Sequence, residues 1–131
     1  MNLHNKTVLV TGGSEGLGFE LAKLLLAEGS YVLICARDQE KLNQAAKLLK
    51  SDKLSTFKCD ITDYLQVKLM VKNIAHLDVL INNAGIYYES ALENSSIPMI
   101  SNIIDINLKG LIYVTKACLP MLKKRPESFL V

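Results

Sequence analysis

A glycine-rich stretch near the N-terminus has the residue types and spacing that bind phosphate groups. It reads Thr11-Gly12-Gly13-Ser14-Glu15-Gly16-Leu17-Gly18. Gly12 permits a tight turn out of a strand, Gly16 lets the backbone approach a pyrophosphate, and Gly18 lets the following helix pack closely on the sheet. The helix N-terminus offers unpaired N–H groups and a partial positive charge. A glycine-rich turn without a ligand is the alternative, but the flanking strand, helix and second strand favour dinucleotide binding.

The end of the next strand indicates which dinucleotide binds. In such a site an Asp at that end bonds the ribose 2′-hydroxyl and repels a 2′-phosphate. Counting from Gly29 places Ala36 there, followed by Arg37, whose guanidinium can grip a phosphate through charge-assisted hydrogen bonds. The sequence therefore favours NADP(H), with NAD(H) as the alternative. Two considerations oppose this: Arg37 at a helix start is also typical of a solvated residue, and Glu15 repels the phosphate if it turns inward.

An alternating framework of strands and helices must position these residues. Short β-branched runs predict strands at Lys6–Thr11, Tyr31–Ala36, Thr56–Cys59, Val79–Ile81 and Phe129–Val131. Helical spacing and capping residues predict helices over Leu17–Glu28 with Gly29 at its C-terminus, after Asp38, after Thr62, and from Ser95 or Ser96 to about Leu122. This order predicts an α/β fold with a Rossmann-type doubly wound parallel sheet. We expect a single dinucleotide-binding domain over residues 1–131, truncated at about the fifth strand.

Helical spacing also predicts which helix faces are buried. For the first helix the predicted buried residues are Leu17, Leu21, Leu24 and Leu25, and for the third they are Leu65, Leu69, Met70 and Ile74. The apolar residues of the long last helix are too many for one narrow stripe: Ile100, Ile103, Ile104, Leu108, Leu111, Ile112, Val114 and Leu119. One side can cover the sheet and the other needs a partner, so we expect a homo-oligomer through residues 96–122.

Composition and charge exclude several classes of protein. The chain has 131 residues, 50% of them hydrophobic, and a net charge of +2, as in a globular protein. The short basic run Lys123–Arg125 suits a solvated helix end, so nucleic-acid binding is not expected. The N-terminus resembles no secretory signal, and no apolar stretch is long enough to span a bilayer. We therefore expect no membrane association.

Cysteine and histidine usage indicates a reducing compartment and no metal site. Cys35, Cys59 and Cys118 are odd in number, widely spaced and without a CxxC pair, which predicts free thiols. Free thiols favour a cytoplasmic location. His4 and His76 have no ligand-like neighbours at metal spacing, so we expect no bound metal.

Four ordered motifs together resemble a known family. The glycine stretch has the spacing T-G-x-x-x-G-x-G, Asn82-Asn83-Ala84-Gly85 follows a strand, and Asp60 ends the third predicted strand. Asp105-Ile106-Asn107-Leu108 lies in the long helix. This set is similar to the N-terminal, cofactor-binding portion of the short-chain dehydrogenase/reductase family, and it covers essentially the whole chain.

The resemblance implies roles for the residues around the adenosine half of the cofactor. The backbone around Ser14, Glu15 and Leu17 would face the phosphates and ribose. Asp60 would accept a hydrogen bond from the adenine amino group, and Ile61 would present its backbone beside the adenine.

The resemblance also implies roles beside the nicotinamide half. Asn83, Ala84 and Gly85 would lie along the nicotinamide-side ribose, although the two asparagines also suit buried amides that tie strands together. Asn107 would be the family's helix-embedded asparagine, which helps to organise a proton-relay water. Its structural alternative is an Asn that caps a helix kink through local hydrogen bonds.

The remaining catalytic residues of the family are missing. The family uses a Ser after the fifth strand and a later Tyr-x-x-x-Lys, whose Tyr is the general acid/base. Tyr113 and Lys116 have the wrong spacing, and Tyr64 and Lys68 have the right spacing but precede Asn82-Asn83-Ala84-Gly85. We expect an NAD(P)-dependent oxidoreductase acting on an alcohol or carbonyl, represented by its cofactor-binding half and inactive alone. The alternative is a stand-alone, non-catalytic nucleotide-binding or oligomerisation module.

The segment between Asp60 and Asp78 is another departure from the family. It is about one helical turn shorter than the family pattern implies, so we expect the helix within it to be short.

Overall fold

The computed structural model describes residues 2–131, which form one parallel sheet flanked by helices. The strands are β1 (Thr7–Thr11), β2 (Tyr31–Ala36), β3 (Leu54–Lys58), β4 (Val79–Ile81) and β5 (Phe129–Leu130). Their order in the sheet is β3-β2-β1-β4-β5, and every pairing is parallel. The predicted α/β class and doubly wound sheet are confirmed. The strand order reverses between β1 and β4, where α/β sheets of this kind bind ligands.

Helices cover both faces of the sheet. They are α1 (Gly16–Ala27), α2 (Gln39–Leu49), α3 (Tyr64–Lys72), α4 (Ile97–Ile104) and α5 (Leu111–Leu122), with a single 3-10 turn at Leu92–Asn94. Residues of α1 and α2 pack with Val8 and Val10 on one face of β1. Residues of α3 and α5 pack with Leu9 on the other face. Because both faces are covered, β1 is a continuous buried run.

The helix starts follow the predicted caps with one exception. Asp38 accepts hydrogen bonds from two N–H groups of α2, and Ser96, rather than Ser95, caps α4. Helix α3 is capped by Asp63, so the prediction of a Thr62 cap is wrong. The Thr62 hydroxyl instead donates to Asp60 at 2.8 Å. Gly29 follows α1 with a φ of +82°, the left-handed conformation expected after a helix end.

The bounds of the third strand and the buried face of α1 differ from the prediction. The third strand begins at Leu54, two residues before the predicted start, and it ends at Lys58, one residue before the predicted end. Helix α1 buries Gly18, Ala22 and Leu25, whereas Leu17 and Leu24 are exposed. The predicted face is therefore wrong at Leu17 and Leu24, whereas Leu25 is buried and Leu21 half-buried, because small residues at positions 18 and 22 bring this side of the helix against the sheet.

Helix α3 shows the same kind of rotation and is short. It has nine residues and buries Val67 and Met70, whereas Leu65 and Leu69 are exposed. Of the four apolar residues predicted to be buried there, Met70 and Ile74 are. The short helix agrees with the short segment between Asp60 and Asp78.

A continuous helical run at Ile97–Leu122 is the longest element. It consists of α4, a π-helical segment (Asp105–Gly110) and α5, and we call the whole run the long helix. It has 26 residues, and an 18-residue stretch of it has a mean hydropathy of 1.2, so by length and composition it could cross a membrane, which the sequence did not lead us to expect. One side of it, including Val114, Cys118 and Leu122, packs into the domain core. Most of its other apolar residues are exposed.

The three cysteines lie in the core on the α3–α5 face of the sheet. All are free and buried, in agreement with the predicted free thiols. Burial raises the pKa of Cys59 to about 11 and that of Cys118 to about 12, and it also raises the pKa of Cys35. Because the thiolate is the reactive form, these thiols are unreactive at neutral pH.

Asp78 joins three strands at the amino ends of the sheet. One oxygen of its 1% exposed side chain accepts a hydrogen bond from the Thr7 backbone N–H at 2.9 Å. The other accepts from Arg125 Nε at 2.6 Å, just before β5. Burial tends to raise the pKa of Asp78, but the hydrogen bonds from Thr7 and Arg125 outweigh it and hold that pKa below its usual value.

We expect Asp78→Asn to lower the free energy of unfolding by about 1–3 kcal/mol at neutral pH, because the buried partners lose a charged acceptor. A carboxyl with a lowered folded-state pKa stabilises the fold above its unfolded pKa of about 3.9 and loses that stabilisation as pH falls through the folded pKa. The difference in the free energy of unfolding between the variant and the wild type should therefore become smaller at acidic pH. Urea denaturation at neutral pH and near pH 3 measures it, with the exposed Asp52→Asn as control. Equal stability of Asp78→Asn and wild type at neutral pH would contradict the assignment.

Candidate functional site

An open cleft lies at the carboxyl ends of β1 to β4, and its volume is about 1230 Å³. All of the predicted cofactor-binding residues line it except Gly18: Gly12, Ser14, Glu15, Gly16, Leu17, Arg37, Asp60, Ile61, Asn83, Ala84 and Gly85. The structure therefore brings together predicted residues as far apart in sequence as Gly12 and Gly85.

Three of the four glycines in the predicted phosphate loop, Gly12, Gly16 and Gly18, occupy positions that favour glycine for different geometric reasons. Gly12 has a φ of +66°, and a Cβ there would lie 2.9 Å from the Ala84 Cα. At Gly18 a Cβ would overlap the Gly12 carbonyl, so this glycine lets α1 approach the strand end. Gly16 has a φ of +56°, and a Cβ there would meet no atom within 4 Å, because this residue faces the open cleft. The left-handed φ favours glycine at this position, and the open space leaves the Gly16 backbone accessible to a ligand in the cleft.

Helix α1 begins at the cleft without a side-chain cap. Its N-cap residue, Glu15, makes no capping hydrogen bond within residues 2–131, whereas Asp38, Asp63 and Ser96 cap the other helices that start from loops. The first N–H groups of α1 thus keep their hydrogen-bonding capacity for an acceptor in the cleft.

Hydrogen bonds between Thr11 and Asn83 fix the centre of the cleft. The Thr11 hydroxyl oxygen accepts from the backbone N–H of Asn83 at 3.1 Å and of Ala84 at 3.0 Å. The Asn83 amide donates to the carbonyl oxygens of Thr11 at 2.9 Å and of Gly12 at 3.3 Å. The Asn83 side chain therefore ties neighbouring strand ends together and leaves its backbone, with Ala84 and Gly85, along the cleft.

The end of β3 forms one side of the cleft through Asp60 and Ile61. One carboxylate oxygen of Asp60 accepts from the backbone N–H of Thr62 at 2.9 Å and from its hydroxyl. The Asp60 N–H donates to Gln66 at 3.0 Å. The second carboxylate oxygen makes no hydrogen bond to any residue from 2 to 131. Ile61 packs against Gly110, where a Cβ would lie 2.7 Å from its side chain.

Charged residues concentrate at the β2–β3 end of the cleft. Arg37, Lys41 and Lys58 line it there. The Lys41 ammonium donates to both carboxylate oxygens of Glu15 at 2.8 Å, and this hydrogen bonding raises the pKa of Lys41. Glu15 is therefore paired with a cation rather than facing the cleft alone. One Asp38 oxygen accepts from the Glu40 and Lys41 N–H groups, so that carboxylate is engaged with α2.

Asn107 lies in the π-helical segment of the long helix and braces the loop that follows β4. Its Oδ1 accepts from the backbone N–H of Ile86 at 2.8 Å, and its Nδ2 donates to the Ile86 carbonyl at 2.8 Å. The alternative of a local kink cap is therefore wrong, because both amide atoms reach 21 residues away. Asp105 and Lys109, on either side, form an ion pair at 2.6 Å that raises the pKa of Lys109. Such π-helical segments are frequent at functional sites.

The Tyr64/Lys68 pair and the Tyr113/Lys116 pair lie next to each other, away from the cleft. The rings of Tyr64 and Tyr113 lie 5.2 Å apart, and the ammonium groups of Lys68 and Lys116 lie 5.9 and 5.7 Å from the Tyr64 ring centroid. None of the four residues lines the cleft. They join α3 to α5, so a catalytic role for either pair has no support in this geometry.

Three residues of the site could not be singled out from the motifs. Thr11 begins the glycine motif, but its contacts to Asn83 depend on the strand order. Lys41 lies in the first turn of α2, and the fold brings it to the cleft beside Arg37, which precedes that helix. Tyr87 lines the cleft at the end of β4. Within residues 2–131 no group of three or more His, Cys, Asp or Glu side chains could hold a metal ion.

Comparisons with known proteins connect this cleft to one family. The short chain dehydrogenase family model matches residues 6–131. An uncharacterized oxidoreductase of Bacillus subtilis, DltE, is 35% identical over 100% of this chain and 54% of its own length. The 3-dehydrosphinganine reductase TSC10B of Arabidopsis thaliana is 39% identical over 90% of this chain and 37% of its own length.

The fold comparison agrees with the sequence matches. The crystal structure of serine dehydrogenase from Escherichia coli has a TM-score of 0.88 to this chain at 29% identity, covering 95% of this chain and 59% of that one. The chain therefore spans about half the length of the curated relatives it matches.

Proposed function

The chain belongs to the short-chain dehydrogenase family, and on that premise we propose that it binds NADP(H) as the cofactor half of an oxidoreductase. The reaction would transfer a hydride between the cofactor and an alcohol or carbonyl substrate. One observation carries the proposal: an uncapped helix N-terminus and a glycine with open space above it face the same cleft. A pyrophosphate provides the negative charge and the close backbone approach that this arrangement suits.

The two ends of the cleft suit the two halves of a dinucleotide. Asp60 keeps one carboxylate oxygen free to accept from the adenine amino group. The backbone of Ala84 and Gly85 borders the opposite end, where small residues admit a ribose. When bound, the nicotinamide ring accepts or donates the hydride. The chain's own residues hold and orient the cofactor, and the Asn107 amide keeps the Ile86 backbone in place beside it.

The charges at the β2–β3 end favour NADP(H) over NAD(H). No carboxylate ends β2, and the nearest one, Asp38, accepts hydrogen bonds from the start of α2. Arg37 and Lys41 border the place where a ribose 2′-phosphate would lie, and both can donate to it. NAD(H) remains the second candidate because Glu15 contributes a negative charge nearby.

A symmetric homo-oligomer through residues 96–122 is part of the proposal. The long helix packs one side against the sheet and leaves Ile104, Leu108 and Ile112 exposed on the other. A helix with one side in the domain core cannot be surrounded by lipid, so a second copy suits the exposed apolar side better than a bilayer does. We further propose a cytoplasmic location, which suits three unpaired thiols.

The stand-alone module without catalysis is the second candidate function. It is favoured by the exposed apolar residues of the long helix, Ile104, Leu108 and Ile112, which suit a surface for oligomerisation. A nucleotide-binding module would use the same cofactor site, so cofactor binding alone does not separate it from the oxidoreductase, whereas a module that only oligomerises would bind no cofactor.

Arg37→Ala should weaken NADPH binding about ten- to hundredfold, because charge-assisted hydrogen bonds to the 2′-phosphate are lost. NADH binding should hardly change. Isothermal titration of both cofactors into both proteins measures this, with Lys47→Ala at the far end of α2 as a matched control. Equal affinities of the wild-type chain for NADPH and NADH would contradict the NADP(H) preference.

Glu15→Gln should strengthen NADPH binding about two- to fivefold, because it removes a repulsive charge and releases Lys41 toward the 2′-phosphate. The gain should diminish as salt screens the charges. Titrations at low and high ionic strength test this, and Glu28→Gln at the end of α1 provides the control. Unchanged or weaker NADPH binding by Glu15→Gln at low salt would refute a phosphate-directed role for Lys41.

The 131-residue chain should not reduce simple ketones with NADPH above the buffer rate. A positioned general acid/base contributes about 10²–10⁴ in rate, and this sequence lacks the family's Tyr and Lys. Absorbance of NADPH at its nicotinamide band follows the reaction. Turnover that disappears in Tyr64→Phe would instead assign catalysis to the Tyr64/Lys68 pair.

Leu111→Lys or Ile112→Lys should convert the oligomer to monomer, because a charge replaces apolar surface between two copies. Size exclusion with light scattering measures the mass at micromolar concentration. Leu48→Lys makes the same kind of change at an exposed leucine of α2, away from the long helix, and should leave the oligomer intact. A wild-type chain that is already monomeric would disprove this interface.

A further inference from the structure

The loop after β4 presents Tyr87 at the end of the cleft opposite Arg37. Its side chain is 83% exposed and lines the cleft together with Gly85 and Ile86. A large aromatic ring left in water forgoes the burial that stabilises such residues elsewhere, so its position calls for a physical reason.

Two asparagines of the long helix fix the loop on either side of Tyr87. Asn107 makes two hydrogen bonds of 2.8 Å to the Ile86 backbone. Asn102 donates to the Tyr88 hydroxyl at 2.7 Å. These two anchors hold the chain on both sides of Tyr87 and so keep its backbone beside the cleft.

The other tyrosines all have partners in the fold. Tyr64 and Tyr113 stack on each other, Tyr31 lies 4.9 Å from the Lys53 ammonium, and Tyr88 is hydrogen-bonded. Among the tyrosines, all of which lie within residues 2–131, Tyr87 alone has neither a hydrogen bond nor an aromatic or cationic neighbour. Its ring is thus available to a ligand in the cleft.

We propose that Tyr87 is a further cofactor-binding residue whose ring packs against the nicotinamide ring. The inference rests on the proposed function. The proposed function places adenine at Asp60, which follows β3, and the phosphates at the start of α1, which follows β1. Because neighbouring strands lie only about 4.8 Å apart, the second nucleoside must extend over β4, the next strand on the other side of β1. Residues Asn83–Tyr87 border that end. Nicotinamide is the planar ring of this half, and aromatic rings pack favourably on one another.

The test compares NADPH with 2′-phospho-ADP-ribose, which has the same adenosine half and pyrophosphate but no nicotinamide. Both are titrated into the complete 131-residue chain and into Tyr87→Ala, whose exposed position should not disturb folding. NADPH binding should weaken about three- to tenfold. Binding of 2′-phospho-ADP-ribose should be unchanged.

Two further variants separate direct contact from a general effect. Tyr31→Ala, an exposed tyrosine outside the cleft, should leave both ligands unaffected. Asn102→Ala, which releases Tyr88, should weaken NADPH alone and by less than Tyr87→Ala.

The outcomes distinguish this inference from the proposed function. If the wild-type chain binds both ligands and Tyr87→Ala changes neither, or weakens both equally, the role of Tyr87 is overturned and the proposed function stands. If the wild-type chain binds neither ligand, the proposed function fails and the inference fails with it.

Discussion

The hydrogen bonds between Thr11 and Asn83 connect the carboxyl ends of β1 and β4, and the cleft takes its shape from that connection. Parallel strands end at one edge, but their loops would diverge unless something held them together. One hydroxyl and one amide satisfy four backbone groups there. Gly12 and Gly18 then fit against these loops with no room for a side chain. The α1 N-terminus is thereby fixed over the centre of the cleft.

Around this connection the long helix acts as a second support. Its π-helical segment presents Asn107 to the Ile86 backbone, and Gly110 allows close contact with Ile61 at the end of β3. One helix thus contacts the loops that follow β4 and β3, which lie on opposite sides of β1 in the sheet. A regular α-helix would rotate these residues differently, which gives the π-helical segment a structural purpose.

The motifs and the succession of strands and helices along the chain were predictable from the sequence, whereas the order of the strands in the sheet, the rotations of the helices and the side-chain partners were not. The glycine spacing and the alternation of short strands with helices sufficed for the doubly wound sheet and for the phosphate loop, whereas Asp60, Ile61 and Asn83–Gly85 were predicted from the resemblance to the short-chain dehydrogenase/reductase family. The buried faces of α1 and α3 were partly mispredicted because leucine spacing ignores small residues such as Ala22, which permit the closest approach. The partners of Asn107 and Lys41 depend on distances between separate elements, and no local pattern encodes those distances.

Backbone amide shifts during an NADPH titration test the central claim most directly, namely that the α1 N-terminus receives the cofactor's pyrophosphate. The ¹⁵N-labelled chain is titrated while the amides of Gly16, Leu17 and Ala84 are followed. These amides should shift in a saturable way with one shared dissociation constant, and inorganic pyrophosphate at higher concentration should shift Gly16 and Leu17. Saturable shifts confined to other surfaces, with Gly16 and Leu17 unmoved, would contradict the account.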